Sequence, residues 1–539
     1  MTAQYRVLVA DQIALDGLAP LRDDSRFDLI VKPGLKGAEL ADAIASADAV
    51  LVRSATQITR ESLARANGLK VIGRAGVGVD TIDVNAATER GIAVLTAPAG
   101  NTISAAELTF ALTLALARRV SAADRSMKSG QWDRKSFSGT ELYGKTLGLV
   151  GAGRIGGEVA KRARAFGMQV LAFDPFLLAD RAAALGIERA ELDEVLRRAD
   201  VVSLHVPLTD ATTGLLGDRE LGLMKPTAVI VNAARGGVVS EEALVRALKD
   251  KRIAGAALDV FEQEPLPADH PLRALDNVVL TPHLGASTAE AQQNVAIEIA
   301  EAVRAALVEG DLSRAVNAPG LGGEEMRRLR PLLDLAERLG MLAAALVEGG
   351  IARVEVRYAG SATNGLRLLT ATAVAGALSR VVGDGDVNLV NALHVASAHG
   401  IRVDQIQLDR RDGFAEHLEV RAETESGETR VAGALLGEAH PRLVRIDDFR
   451  VDMAPQGTLL ILRNQDVPGV IGRVGSLLGD AGINIAGYHQ SRLDAGGDAL
   501  AVVKVDARVD PSIVDALGAL PEVHSVRQVR LDRASRHAT

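Results

Sequence analysis

Residues 145–175 read KTLGLVGAGRIGGEVAKRARAFGMQVLAFDP, an apolar run, a glycine-rich turn, a charged helical stretch and a second apolar run. The apolar run TLGLV predicts a strand, GEVAKRARAFG a helix, and QVLAFD a second strand ending at Asp174. Between strand and helix stands Gly151-Ala-Gly153-Arg-Ile-Gly156. Gly151 permits a tight turn, Gly153 lets backbone approach a pyrophosphate, and Gly156 allows helix and strand to pack closely. The helix start then offers free N–H groups and the positive end of its dipole to phosphates. A carboxylate at Asp174 would accept hydrogen bonds from both ribose hydroxyls and repel a 2′-phosphate, which favours NAD over NADP. A glycine turn beside a surface aspartate is the plainer alternative, but the strand before and the helix after suit a dinucleotide.

The same pattern continues on both sides. Downstream, DVVSLHVPL (200–208), AVIVNAA (228–234), AGAALDVF (254–261) and NVVLTPH (277–283) are strand candidates separated by helical stretches. Near-continuous apolar strands alternating with helices imply an α/β unit with a parallel sheet covered on both faces, here spanning 105–286. Upstream, YRVLVA (5–10), FDLIV (27–31), DAVLVR (48–53), KVIG (70–73) and IAVLT (92–96) define a smaller α/β unit over 1–104. The long helix candidate at 287–310 carries the chain back to it, so that unit is expected to be discontinuous, 1–104 with 287–318. Residues 319–453 open on a helix and continue with mixed strands and a charged, turn-rich stretch around 408–450. They hold no chemical motif, and His394 and His399 read as structural. Residues 454–539 follow a βαββαβ order, a ferredoxin-like module.

Composition sets the outer bounds. A chain of 539 residues is too long for one core and suggests three or four domains. The net charge of −8 gives no general attraction to phosphate backbones, so no nucleic-acid partner is expected. There is no cysteine, which excludes disulfides, thiolate nucleophiles and Cys-ligated metals, and no metal site is expected. The N-terminus lacks the pattern of a signal peptide, and the most apolar helical run, LTFALTLALA (108–117), is too short to span a bilayer. No membrane association is expected, and the cytoplasm is the expected location.

Reacting groups belong in the loops after the later strands of a dinucleotide-binding sheet, because ligands bind at the carboxyl ends of its strands. Those loops hold Arg235, Glu264 and His283. An arginine can grip a carboxylate with two hydrogen bonds. A glutamate beside an imidazole fixes its tautomer and favours its protonated form. The histidine can then exchange a hydroxyl proton while hydride moves between substrate and nicotinamide. Singly these are a surface arginine, a solvated acid and a loop histidine. Together, on consecutive strand ends, they form a catalytic set.

GAGRIG, NAARGGVVSEEAL, ALDVFEQEP and TPHLGAST closely resemble stretches of the D-isomer-specific 2-hydroxyacid dehydrogenases. VRSAT (52–56), RAGVGVDTIDV (74–84) and SMKSGQWDRKSFSGTEL (126–142) narrow the resemblance to the branch that acts on 3-phosphoglycerate. The C-terminal module looks like an ACT domain. The resemblance implies a Rossmann-type domain inserted in a flavodoxin-like substrate domain, then an α+β intervening domain and the ACT domain. It implies oxidation of 3-phospho-D-glycerate to 3-phosphohydroxypyruvate with NAD, the first step of L-serine synthesis. By position it assigns catalysis to Arg235, Glu264 and His283. Cofactor contacts fall on Gly151, Gly153, Arg154, Ile155, Gly156, Asp174, Pro207, Thr212, Ala233, Asp259 and Gly285, with Asp259 at the nicotinamide carboxamide. Substrate contacts fall on Arg53, Ser54, Arg74, Gly76, Val77, Gly78 and Asn101. Arg134 and Lys135 match residues that reach a neighbouring subunit's site. L-serine as effector is assigned to Asn464, Asp466 and Asn484, and the assembly to a homotetramer. Some relatives also reduce 2-oxoglutarate. The rival readings are a glyoxylate- or D-lactate-type enzyme of the same family, which would need neither the extra cations nor the tail, and a dinucleotide-sensing protein of the corepressor type.

Overall fold

The computed structural model describes residues 4–382, 387–409, 413–437 and 439–531. Its first sheet is parallel throughout, with β1 (Tyr5–Val9), β2 (Phe27–Val31), β3 (Ala49–Val52), β4 (Val71–Arg74) and β5 (Ala93–Thr96) in the order β2-β1-β3-β4-β5. This is the flavodoxin-like order. Strands β3 and β5 are buried along their whole length, as apolar runs require when helices cover both faces. The helix Ala289–Glu309 returns to this sheet, and its Val295, Ala296, Ile299 and Val303 join Val9, Val71 and Leu95 in one core. Gly73 permits the approach, since a Cβ there would lie 2.6 Å from Leu51 and 2.9 Å from Val303.

The second sheet is also parallel: β6 (Thr146–Val150), β7 (Gln169–Phe173), β8 (Glu188–Arg189), β9 (Val201–Leu204), β10 (Val229–Asn232), β11 (Gly255–Leu258) and β12 (Val278–Leu280). Their order, β12-β11-β10-β9-β6-β7-β8, reverses its winding between β6 and β9, which opens a crevice at the strand ends there. The helices Thr102–Ala117 and Arg154–Ala165 close one face through Ala106, Phe110, Ala160 and Ala163.

The third sheet combines β13 (Arg353–Ala359), β14 (Arg402–Gln407), β15 (His417–Thr424), β16 (Gly427–Leu436), β17 (His440–Ile446) and β18 (Phe449–Met453). Here the structure corrects the sequence reading. The charged stretch around 408–450 is mostly long antiparallel strand, not turn. The charges occupy alternate positions and pair across strands: Arg353 opposite Glu423, Glu355 opposite Arg421, Arg357 opposite Glu419. The other face carries Val354, Val356, Tyr358, Leu418 and Val420 against Leu335, Leu339 and Leu342 of the helix Gly323–Leu346.

The fourth sheet has β19 (Thr458–Gln465), β20 (Ile485–Arg492), β21 (Asp498–Val505) and β22 (Val523–Arg530), antiparallel in the order β20-β21-β19-β22. With the helices Val470–Asp480 and Pro511–Gly518 it makes the expected βαββαβ module. Leu460, Leu462 and Val503 lie under those helices. Leu459, Ile461 and Val502 instead share a core with the third sheet, so the two sheets are packed as one body. This half touches the first unit where Asn388 Nδ2 donates to the Gly91 carbonyl at 2.9 Å and Val390 enters the first unit's core. Among the described residues no helix is long and apolar enough to cross a membrane.

Candidate active site

The loops after β10, β11 and β12 meet at the carboxyl end of the second sheet. His283 sits in the left-handed region at φ 55°, and its backbone N–H donates to the Asp259 carbonyl at 2.9 Å. Beneath it, the buried Asp259 carboxylate accepts from Thr281 Oγ1 at 2.6 Å, Leu284 N at 2.7 Å and Gly285 N at 2.9 Å. Burial pushes the Asp259 pKa up, opposed by these three donors and by His283. In this structure Asp259 therefore braces the turn that presents His283.

His283 Nδ1 donates to Glu264 Oε2 at 2.7 Å, while Glu264 Oε1 accepts from Phe261 N at 3.0 Å. Both carboxylate oxygens are engaged, so the glutamate is aimed, and it leaves Nε2 of the imidazole for proton exchange. Arg235 Nη1 donates to the Ala234 carbonyl at 2.6 Å, and its Nε lies 3.3 Å from Asp80. Sequence reasoning missed Asp80, although it lies inside RAGVGVDTIDV. Gly78 makes room for this pair: a Cβ there would meet Arg235 Nη2 at 1.9 Å.

Arg74, at the end of β4, is largely buried, and that burial, reinforced by the positive charges of Arg235 and Arg53, pushes its pKa down to about 10. It remains a cation at neutral pH, and its buried Nε has no hydrogen-bond partner among the described residues. A cleft of about 300 Å³ brings Arg53, Ser54, Arg74 and Gly76 from the first unit together with Glu264 and His283 from the second. Gln292, on the helix Ala289–Glu309, lines it too. No sequence signal marked Gln292, because one glutamine in an amphipathic helix resembles any surface position.

Other expected contacts lie outside this lining. Asn101 caps the start of the helix Thr102–Ala117, and its buried Oδ1 has no partner among the described residues. Val77 is exposed. Arg134 and Lys135 lie on an exposed loop, where Lys135 N donates to Asp133 Oδ1 at 3.0 Å. The cleft of the same chain does not include them.

The dinucleotide loop has the geometry its glycines suggest. Gly151 has φ 93°, and a Cβ on it would meet the His205 carbonyl at 2.5 Å. A Cβ on Gly156 would meet the Gly151 carbonyl at 2.3 Å, whereas nothing lies within 4 Å of one on Gly153. Gly153 thus leaves an open face beside the first helical residues Arg154 and Ile155. Asp174 accepts from Ala152 N and Phe176 N, each at 2.8 Å, which fixes its carboxylate at the tip of β7. The residues fit a dinucleotide: an open backbone cradle at a helix start, with an oriented acid at the neighbouring strand end. His205, unmarked in the sequence reading, lies under this loop with Nε2 3.0 Å from Ser203 Oγ, and burial pushes its pKa down to about 4. Thr212 Oγ1 donates to the Pro207 carbonyl at 2.6 Å, pinning the loop after β9, and Ala233 directly follows β10.

At the fourth sheet, the three expected effector positions have separate partners. Asn464 is buried, its Nδ2 donating to the Gln465 carbonyl at 2.8 Å and its Oδ1 without a partner among the described residues. Asp466 accepts from Arg492 at 3.0 Å, which holds its pKa below the usual carboxylate range. Asn484 Nδ2 donates to Asp506 at 2.6 Å.

Residues 110–285 match the model of the D-isomer specific 2-hydroxyacid dehydrogenase NAD binding domain. Residues 328–447 match the D-3-phosphoglycerate dehydrogenase intervening domain, and 458–522 the ACT domain. Among solved structures, the TT0316 protein of Thermus thermophilus is 42% identical with a TM-score of 0.51, covering 56% of this chain and 96% of its own. D-lactate dehydrogenase of Aquifex aeolicus, solved with NAD and lactic acid, is 32% identical with a TM-score of 0.51, covering 57% and 97%. The fold and site thus place the chain in the D-isomer-specific 2-hydroxyacid dehydrogenase family, with NAD as its cofactor. A D-3-phosphoglycerate dehydrogenase of Methanocaldococcus jannaschii is 41% identical over 98% of this chain and 100% of its own length. That of Bacillus subtilis is 40% identical over 98% and 100%. The chain belongs to the D-3-phosphoglycerate dehydrogenases.

Proposed function

We propose that the chain oxidises 3-phospho-D-glycerate to 3-phosphohydroxypyruvate, the reaction that opens L-serine synthesis. The observation that carries this reading is the presence of two cations, Arg53 and Arg74, in the cleft that holds His283 and Glu264. A 2-hydroxy acid with one carboxylate needs only Arg235; a second anionic group needs further positive charge. Arg235 holds the carboxylate, displacing Asp80. His283 Nε2 takes the proton from the C2 hydroxyl as the carbonyl forms. Glu264 holds Nδ1 and stabilises the resulting imidazolium. NAD held at the Gly151–Gly156 loop and Asp174 would supply the acceptor for the C2 hydride. In the reverse direction His283 returns the proton to the carbonyl oxygen. Asp259 keeps the His283 turn in register throughout. The test is loss of NADH absorbance with phosphohydroxypyruvate. Turnover no better than with glyoxylate or pyruvate would favour the glyoxylate- or D-lactate-type reading, and absence of turnover a dinucleotide sensor.

The remaining substrate and cofactor assignments are part of the same proposal, with Arg134 and Lys135 acting on a neighbouring subunit's cleft in a homotetramer. The proposed domains are 1–104 with 287–318, 105–286, 319–453 and 454–539; of the last, 532–539 lie outside the described residues. L-serine is the proposed effector at Asn464, Asp466 and Asn484, supported by the ACT match and by the buried Oδ1 of Asn464, which has no partner among the described residues. Full-length kinetics with and without serine, in wild type and Asp466→Ala, test it; inhibition unaltered by the substitution would remove that assignment. 2-Oxoglutarate, whose second carboxylate can take the place of the phosphate, is a proposed side substrate, and the cytoplasm the proposed location.

A further inference from the structure

Arg53 and Ser54 sit on a loop, and a loop cation directs an anion only if its backbone is held. The holding group comes from another strand. Asp11, just beyond β1, is 3% exposed. Its Oδ2 accepts from Arg53 N at 2.6 Å, Thr56 N at 3.2 Å and Ala55 N at 3.3 Å. Its Oδ1 accepts from Thr56 Oγ1 at 2.6 Å. Four donors from one short segment converge on one buried carboxylate, and charge-assisted bonds of this kind are the stronger ones. The neighbouring residue, Gln12, lines the cleft beside Arg53 and Ser54.

We infer that Asp11 is a positioning residue of the cleft: its carboxylate gathers the backbone of Arg53–Thr56 and so aims Arg53 and Ser54 at the substrate's phosphate. The inference rests on the proposed reaction. Asp11 does not itself meet substrate, since its oxygens are occupied by the loop. Its negative charge also partly offsets the cations, as Asp11 raises the Arg74 pKa that Arg53 and Arg235 lower.

The geometry separates shape from charge. In Asp11→Asn, the amide oxygen can keep the three backbone donors while its NH₂ donates to Thr56 Oγ1. That hydroxyl is 3.1 Å from the Ala10 carbonyl and can donate there instead. Asp11→Ala offers no acceptor. The experiment measures kcat/KM for phosphohydroxypyruvate and for unphosphorylated hydroxypyruvate in wild type, Asp11→Ala, Asp11→Asn and Thr56→Val, with NADH affinity from fluorescence titration. Expected is an approximately tenfold or larger loss in Asp11→Ala for the phosphorylated substrate, mainly in KM, with the unphosphorylated one changed far less. Asp11→Asn should recover most of the loss, and Thr56→Val should show a smaller shift of the same kind, which keeps the test open if Asp11→Ala does not fold. NADH affinity should be unchanged. Equal losses for both substrates, or no rescue by asparagine, would overturn the positioning role. If wild type does not turn over phosphohydroxypyruvate at all, the proposed reaction fails and this inference with it. An active wild type with an unchanged substrate ratio in Thr56→Val and Asp11→Ala would overturn the inference alone.

Discussion

The first two sheets and the last two handle charge in opposite ways. In the catalytic half, charged groups gather at strand ends and leave capacity unused: among the described residues Arg74 Nε has no partner, and Arg235 Nε faces the exposed Asp80. In the last two sheets, charges lie along strands and pair mostly with one another. Glu355, 3% exposed, stands between Arg353 at 2.7 Å and Arg357 at 2.5 Å, and Arg353 also reaches Asp404 and Glu423. Unspent charge at a strand end can bind a ligand. Spent charge on a sheet face holds the sheet.

Substitutions can break this contrast. The largest expected effect is at His283: His283→Ala should lower kcat by about 10²–10⁴ while NADH still binds, because the proton donor is lost and the dinucleotide loop is untouched. Near-normal kcat would refute the acid–base assignment. Next is Glu355→Ala, which leaves two arginines facing each other over a buried position. Loss of one partner of a buried pair costs about 3 kcal/mol, so the midpoint of denaturant unfolding should fall while kcat stays close to wild type. A large loss of activity without loss of stability would erase the distinction between the halves. Asp174→Ser should narrow the preference for NADH over NADPH by about tenfold, through loss of like-charge repulsion; an unchanged preference, read from the kcat/KM ratio, would place cofactor choice elsewhere.

The smallest effect concerns pH. His205 has its pKa lowered to about 4 by burial, below the ordinary value of 6.5. Between those values the unfolded chain binds the proton and the folded chain does not, so stability is full above pH 6.5 and falls as pH drops towards 4. His205→Asn should flatten that slope by about one proton, measured as unfolding free energy against pH.

The same contrast explains what the sequence made legible. The catalytic half could be read because parallel strands are apolar runs and its loops carry glycines with a steric purpose, as at Gly151 and Gly156. The expectation of Arg235, Glu264 and His283 as one set was drawn from strand ends, and of the three the cleft lining holds Glu264 and His283. The third sheet was hidden because arginines and glutamates alternating with valine and alanine read as turn when their cross-strand partners, such as Glu423 for Arg353, lie far away in sequence. Asp11, Asp80 and His205 escaped for a related reason. Each acts through contacts with distant residues, and no local pattern marks them.

The central claim is that cations at the ends of β3 and β4 make this cleft specific for a phosphorylated 2-hydroxy acid. Its most direct measurement is the ratio of kcat/KM for phosphohydroxypyruvate to that for hydroxypyruvate, in wild type and in Arg53→Ala. The account predicts a ratio well above one in wild type and a fall of about ten- to hundredfold in the variant, the loss of a charge-assisted contact to phosphate alone. A wild-type ratio near one, or an equal loss for both substrates in Arg53→Ala, would contradict it.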